Sequence, residues 1–164
     1  MIQATSIQFL QDLRTNNHKE WFDANRKRYE SARKNFIAFN EALIQGIEHF
    51  DEGVAVSQLD PRKTLMRINR DIRFSKDKTP YNSHLFTSIN MGGKKHPGAG
   101  YFFSLSPGNS FFGAGVYKPP TDILNQIRQE IDYNAEAWLE LVQDQEILKH
   151  FESIKSSDAL KRPP

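Results

Sequence analysis

Residues 64–85, TLMRINRDIRFSKDKTPYNSHL, hold the densest mix of charge and apolar alternation in the sequence. Arg67, Arg70, Asp71 and Arg73 come first, and Lys76, Asp77, Lys78, Tyr81 and His84 follow. A guanidinium is a planar fork that matches carboxylate or phosphate, and an ammonium adds a mobile point charge. Arg67, Arg73 and Lys78 are therefore candidates to converge on an anionic ligand. Asp71 or Asp77 could serve as acid or base on a small anionic substrate clamped by the arginines. His84 is a further candidate acid or base, near Tyr81. The competing reading is an internal lattice of ion pairs that merely holds the loop in place. The two differ in one observable: whether each guanidinium already has a carboxylate partner.

Nine basic residues (Arg62, Lys63, Arg67, Arg70, Arg73, Lys76, Lys78, Lys94 and Lys95) face only Asp71 and Asp77 between positions 62 and 95, a local charge of +7 in a chain of net +2. Such a field attracts phosphates, nucleic acid or carboxylates. It is equally what a solvated strand face carries. The 164 residues suffice for one domain with a real core, residues 155–164 reading as a tail or the start of a further segment. There is no cysteine, so disulfides and cysteine zinc sites are excluded. No apolar run reaches membrane-spanning length, and the first residues lack a signal-peptide pattern. The expectation is a soluble cytoplasmic protein without membrane contact.

The elements that must position these groups follow from periodicity. Residues 5–14 predict a helix with Phe9, Leu10 and Leu13 on one stripe and Thr5 or Ser6 as cap. Residues 18–50 predict one long helix, or two meeting near Asn25, with Asn17 as a cap. Its seam is Phe22, Tyr29, Phe36, Leu43 and Phe50, filled in by Ala32, Phe39 and Ile47. Val54 and Val56 suggest a short strand. Met66, Ile68, Ile72 and Phe74 alternate with Arg67, Asn69, Asp71 and Arg73, which predicts a central half-buried strand over 64–74. Arg70 falls on the apolar side of that alternation. A charge buried there needs a carboxylate, for which Asp77 and Glu20 are available. Further strands are predicted at 84–91, 101–106 and 111–117, with Gly113 and Gly115 on one face. Thr121 and Asn134 read as caps of C-terminal helices carrying Ile123, Leu124, Ile127, Ile131, Trp138, Leu141 and Val142, then Ile147, Leu148 and Phe151 after a break at Asp144. The fold class is α+β: an antiparallel sheet of four to five strands, with a long N-terminal helix and C-terminal helices packed on it, in a single domain over 1–164.

Three blocks carry a family resemblance: FLQDLRTNNHKEWFDANRKRYE at 9–30, RINRDIRFSKDKTPYNSHL at 67–85, and the FFGAGVY strand with the TDILNQIRQEI helix after it. On these the chain resembles the family known as domain of unknown function 2461 over nearly its whole length. Members of that family run several tens of residues further, so an ending at LKRPP reads as a chain cut short. The resemblance draws attention to Asn17, Glu20 and Trp21 as supporting residues, with Glu20 facing the arginines. It implies no activity, and the function must come from the residues.

The five histidines, His18, His49, His84, His96 and His150, show no metal-ligand spacing, and no GxSxG, P-loop or dinucleotide fingerprint is present. No cofactor or metal is expected. The reading that asks least is an anion- or phosphate-binding domain using RINRDIRFSKDKTPY. Nucleic acid is a weaker variant, with Tyr101, Phe102, Phe103, Phe111 and Phe112 as stacking candidates of which about half belong in a core. The alternatives are an enzyme on a small anionic substrate and a module docking an acidic protein.

Overall fold

The computed structural model describes residues 1–93, 96–117 and 119–150. Lys94, Lys95, Phe151 and the expected tail lie outside them. The chain divides into two compact units, Met1–Tyr117 and Lys118–Pro164. Its class is α+β, with one antiparallel sheet of three strands and several helices.

Helix α1, Ala4–Thr15, buries Ser6, Phe9, Leu10 and Leu13. Neither Thr5 nor Ser6 caps it. Gln3 takes that position, and the Ser6 hydroxyl donates to Asn35 Oδ1 at 2.9 Å. The next helical segment breaks at Asn25 into α2, Lys19–Ala24, and α3, Arg26–Glu48. Asn25 donates from Nδ2 to the Trp21 carbonyl and accepts from Arg28 on Oδ1, which satisfies groups the break would strand. Along α3, Ala32, Phe36, Asn40, Ile44 and Ile47 are buried at three- and four-residue steps. Phe50, expected in that seam, lies past the helix and is 70% exposed.

Asn40 is the polar member of the stripe. It donates to the Pro61 carbonyl at 2.8 Å and to Thr64 Oγ1 at 2.7 Å, and Thr87 Oγ1 donates to Thr64 Oγ1 at 3.0 Å. This buried chain joins α3 to α5, Pro61–Thr64, and to the first strand, β1, Leu85–Ile89. Val54 and Val56 form no strand. They belong to a helical turn, α4, Glu52–Val56, because Asp51 Oδ1 accepts from Val54 N and caps it.

Strands β1, β2 (Gly100–Leu105) and β3 (Phe111–Gly115) form a meander in the order β1-β2-β3. Leu85 pairs with Leu105, Thr87 with Phe103 and Ile89 with Tyr101, so these six side chains share one face. That face meets the helices: Leu85, Leu105 and Phe103 join the cluster of Phe9, Phe22 and Phe36, while Ile89 and Tyr101 join Ile44, Ile47 and Val54. The opposite face carries Phe86 and Ser88 from β1, Phe102 and Ser104 from β2, and Phe111, Gly113 and Gly115 from β3. At Gly100 a Cβ would lie 2.7 Å from the Ile89 carbonyl oxygen, so the close approach of β1 and β2 there requires glycine.

The expected central strand over 64–74 does not form. Leu65 bridges Thr87 and Asn69 bridges Tyr81, but nothing between them is a continuous ladder. Three residues, 66–68, separate the bridges on one side and five, 82–86, on the other. The Met66 amide bonds the Phe86 carbonyl and the Asn82 amide the Ile68 carbonyl, so the two surplus residues fall around Ser83 and His84, opposite Arg67. Burial follows this geometry and not period two: Leu65 and Ile68 are buried, whereas Met66 is 52% and Phe74 95% exposed.

The described part of the second unit holds α6, Thr121–Tyr133, α7, Ala135–Gln143, and α8, Gln145–His150. Thr121 is the first helical residue and not the cap, which is Pro120. Asn134 stands between α6 and α7 and donates to Glu130 Oε1 without capping α7 through its side chain. The break at Asp144 is a cap: its Oδ1 accepts from the amides of Glu146 and Ile147 at 2.8 and 3.0 Å. Among the described residues no helix is long and apolar enough to cross a membrane, and no group of three or more His, Asp or Glu is placed to hold a metal ion.

Candidate functional site

The two surplus residues open a recess on the sheet face turned away from the helices. Its volume is about 730 Å³, within the usual range for small-ligand pockets. Phe86, Phe102, Ser104 and Phe111 of that face form the floor, and Tyr117 stands beyond β3. One wall is the irregular segment, with Met66, Arg67, Asn69, Arg70 and Asp71. Asn82 and His84 close one end together with Ser106 and Asn109 of the β2–β3 turn.

The arginines have different fates. Arg70 is the least exposed, with 24% of its side chain accessible. It pairs with Asp77 at 2.5 Å, and also donates to the Thr79 carbonyl at 3.1 Å and to the Thr79 hydroxyl. Arg73 grips Asp71 with two bonds, Nε to Oδ1 at 2.9 Å and Nη2 to Oδ2 at 2.6 Å. Lys78 donates to the Ile72 carbonyl at 3.0 Å. Arg73, Lys76, Asp77 and Lys78 do not line the recess. The guanidinium of Arg67 does line it, and makes no hydrogen bond or ion pair among the described residues.

The expected convergence of Arg67, Arg73 and Lys78 is thus not what the geometry assembles. Arg67, Arg70, Asp71 and His84 meet at the recess, and the loop lysines stay outside it. Two carboxylates are held below the usual range. Hydrogen bonds from the Arg73 side chain lower Asp71 most. The Thr79 amide, then Arg70, hold Asp77 at about 2. Both are therefore acceptors at neutral pH and poorly suited to donate a proton. Burial lowers the His84 imidazole below its ordinary value, so it is neutral near pH 7. Its ring meets the Phe86 ring edge-on at 6.5 Å.

The Asp77 shift sets a pH dependence. An Asp more acidic in the folded chain than in the unfolded one stabilises the fold above the unfolded value near 3.8, and that contribution is lost as pH falls through about 2. Urea titrations of wild type and Asp77→Asn at stepped pH should therefore converge between pH ~4 and ~2 and differ above it.

The supporting residues are placed differently from expectation. Asn17 is not a cap. His18 holds the cap position of α2. The Asn17 amide instead clasps the backbone of Tyr81, donating to its carbonyl at 2.8 Å and accepting from its N–H at 3.1 Å. Tyr81 itself is core, 7% exposed, and stacked on Phe22 at 4.0 Å. Glu20 is solvent-facing and pairs with His18 at 3.0 Å, not with an arginine. Trp21 packs against the core beside Phe9 under the Arg28 guanidinium. Asn69, Asn82, Ser104, Ser106, Asn109, Phe86 and Tyr117 were not singled out from sequence. The period-two placement of Phe86 beside Phe102 and Phe111 is the one signal that points to any of them.

A three-stranded antiparallel sheet backed by helices on one face, with a recess on the other, makes the first unit an α+β domain. The chain belongs to the family described as conserved hypothetical protein (DUF2461), whose model matches residues 5–164. No curated protein and no solved structure matches it.

Proposed function

We propose that the recess binds a small anionic ligand, phosphate-bearing by preference, with Arg67 as its anchor. The observation that carries this reading is Arg67 standing at the wall of the recess with no hydrogen bond or ion pair to its guanidinium among the described residues, Asp71 acting on it only as a nearby charge already gripped by Arg73. Arg70 and Arg73 are spoken for by Asp77 and Asp71, so they belong to the internal lattice and shape the wall. Asn69, Asn82, Ser106 and Asn109 add neutral donors that suit phosphate oxygens. A hydrolytic or transfer role is the second reading, favoured by a neutral His84 at the same recess whose ring nitrogens have no hydrogen-bond partner among the described residues.

Titration with inorganic phosphate, followed by amide chemical shifts, tests the anchor. Arg67→Ala should weaken binding by about tenfold or more, the loss of one charge-assisted contact. Lys76→Ala, at an exposed lysine outside the recess, should leave it within about twofold. Shifts that never saturate, or equal losses in the two variants, would refute the reading.

A further inference from the structure

The floor of the recess is aromatic where its polar end is cationic. Phe111, Phe86, Phe102 and Tyr117 form a continuous run: Phe86 lies 6.5 Å from Phe111 and 6.2 Å from Phe102, and Phe102 lies 6.2 Å from Tyr117. Phe86 and Phe102 are nearly parallel, with 23° between their planes. These rings are not consumed by the core, since Phe111 is 50% and Tyr117 70% exposed. Next to Phe102 in the register stands Gly113, and a Cβ built there meets nothing within 4 Å. The sheet thus presents flat rings with open space beside them, in the same recess that Arg67 lines.

Building on the anion-binding reading, we infer that the ligand is a nucleoside monophosphate or a close relative: a phosphate held at Arg67 and a planar base laid over Phe86 and Phe102. Every nucleobase offers a π-face to such a floor, and stacking holds it without a fixed hydrogen-bond pattern. Asn69 and Asn82, at the wall, offer amide donors and acceptors for the base edge or the sugar. The volume suits one nucleotide. A single-stranded polymer would need a continuous basic track, whereas among the described residues lining this recess Arg67 is the one guanidinium outside an ion pair.

The test compares adenosine monophosphate with ribose phosphate by calorimetry at fixed salt. The base should tighten binding by about tenfold or more. Phe102→Leu, which keeps apolar volume but removes the ring, should shrink that difference to about twofold or less. Phe111→Leu provides a second variant on the half-exposed side of the floor, and thermal melts identify any variant that misfolds. Equal affinity for the two compounds would overturn the nucleotide assignment while leaving the anion site standing. Failure of both to bind would remove the anion site as well. Tight, steeply salt-dependent binding of an oligonucleotide, indifferent to Phe102→Leu, would also overturn it.

Discussion

Asn17→Ala should cost about 2–4 kcal/mol of unfolding free energy, because two backbone groups of Tyr81 lose their partners at once and at least one cannot reach water easily. The clasp joins positions 64 residues apart, with bonds of 2.8 and 3.1 Å, and ties the turn before α2 to the strip that follows the arginine loop. Tyr81 is also the partner of Asn69, and its neighbours Pro80 and Asn82 exchange hydrogen bonds with Arg70 and Ile68. Loosening Tyr81 therefore loosens the wall that carries Arg67. Hydrogen exchange should report this locally: the amides of Arg70 and Asn82 should lose more protection than those of β2. Asn17→Asp, which keeps an acceptor for the Tyr81 N–H but loses the donor, should fall between. Uniform loss of protection across the first unit would mean that Asn17 contributes only to global stability.

Phe9→Ala should be more damaging still, about 3–5 kcal/mol, the range for emptying a large aromatic site in a core. Phe9 is completely buried, and its ring meets Trp21, Phe22 and Tyr29 at 6.1, 6.5 and 6.0 Å. The Arg28 guanidinium, 6.0 Å above it, is held in turn by Asp12 at 2.5 Å. The void could not collapse without moving three other rings. Chemical denaturation should show a lowered midpoint with an unchanged slope, as expected for a loss of native packing alone. A loss below about 1 kcal/mol would show that the cluster repacks freely. A typical domain has only about 5–15 kcal/mol in total, so this variant sits near the limit of folding.

Much of the architecture could be read from pattern. Strands β1 to β3 follow from alternation and from the Pro107-Gly108-Asn109 turn, since each is paired along its full length and its side chains then alternate between the two faces. The failure at 64–74 comes from the same rule. Alternation states what a segment would do if a neighbouring strand ran in register, and this one meets a neighbour with two residues too many. The anomaly is visible in Arg70, an ion on the apolar side whose burial demands a carboxylate; of Asp77 and Glu20, the structure supplies Asp77. Val54 and Val56 misled because propensity was weighed above the cap, although Asp51 three residues before Val54 is itself a helix-start signal. Asn17 was beyond reach: an asparagine before a helix reads as a cap, and its engagement with Tyr81 depends on how distant parts of the chain meet. The site was legible as a charged stretch, but which cation stays unpaired depends on geometry that composition does not encode.

The miscount between residues 66–68 and 82–86 has a consequence for how this hollow could arise or vanish. Shortening the longer side by two positions would let the two stretches zip into a flat fourth strand. Asn82 and His84 would swing out of place, and Arg67 would stand over a level surface. The shape of the recess is in that sense a mismatch preserved, and insertions or deletions at Ser83 and His84 would alter it more than most point substitutions along its walls.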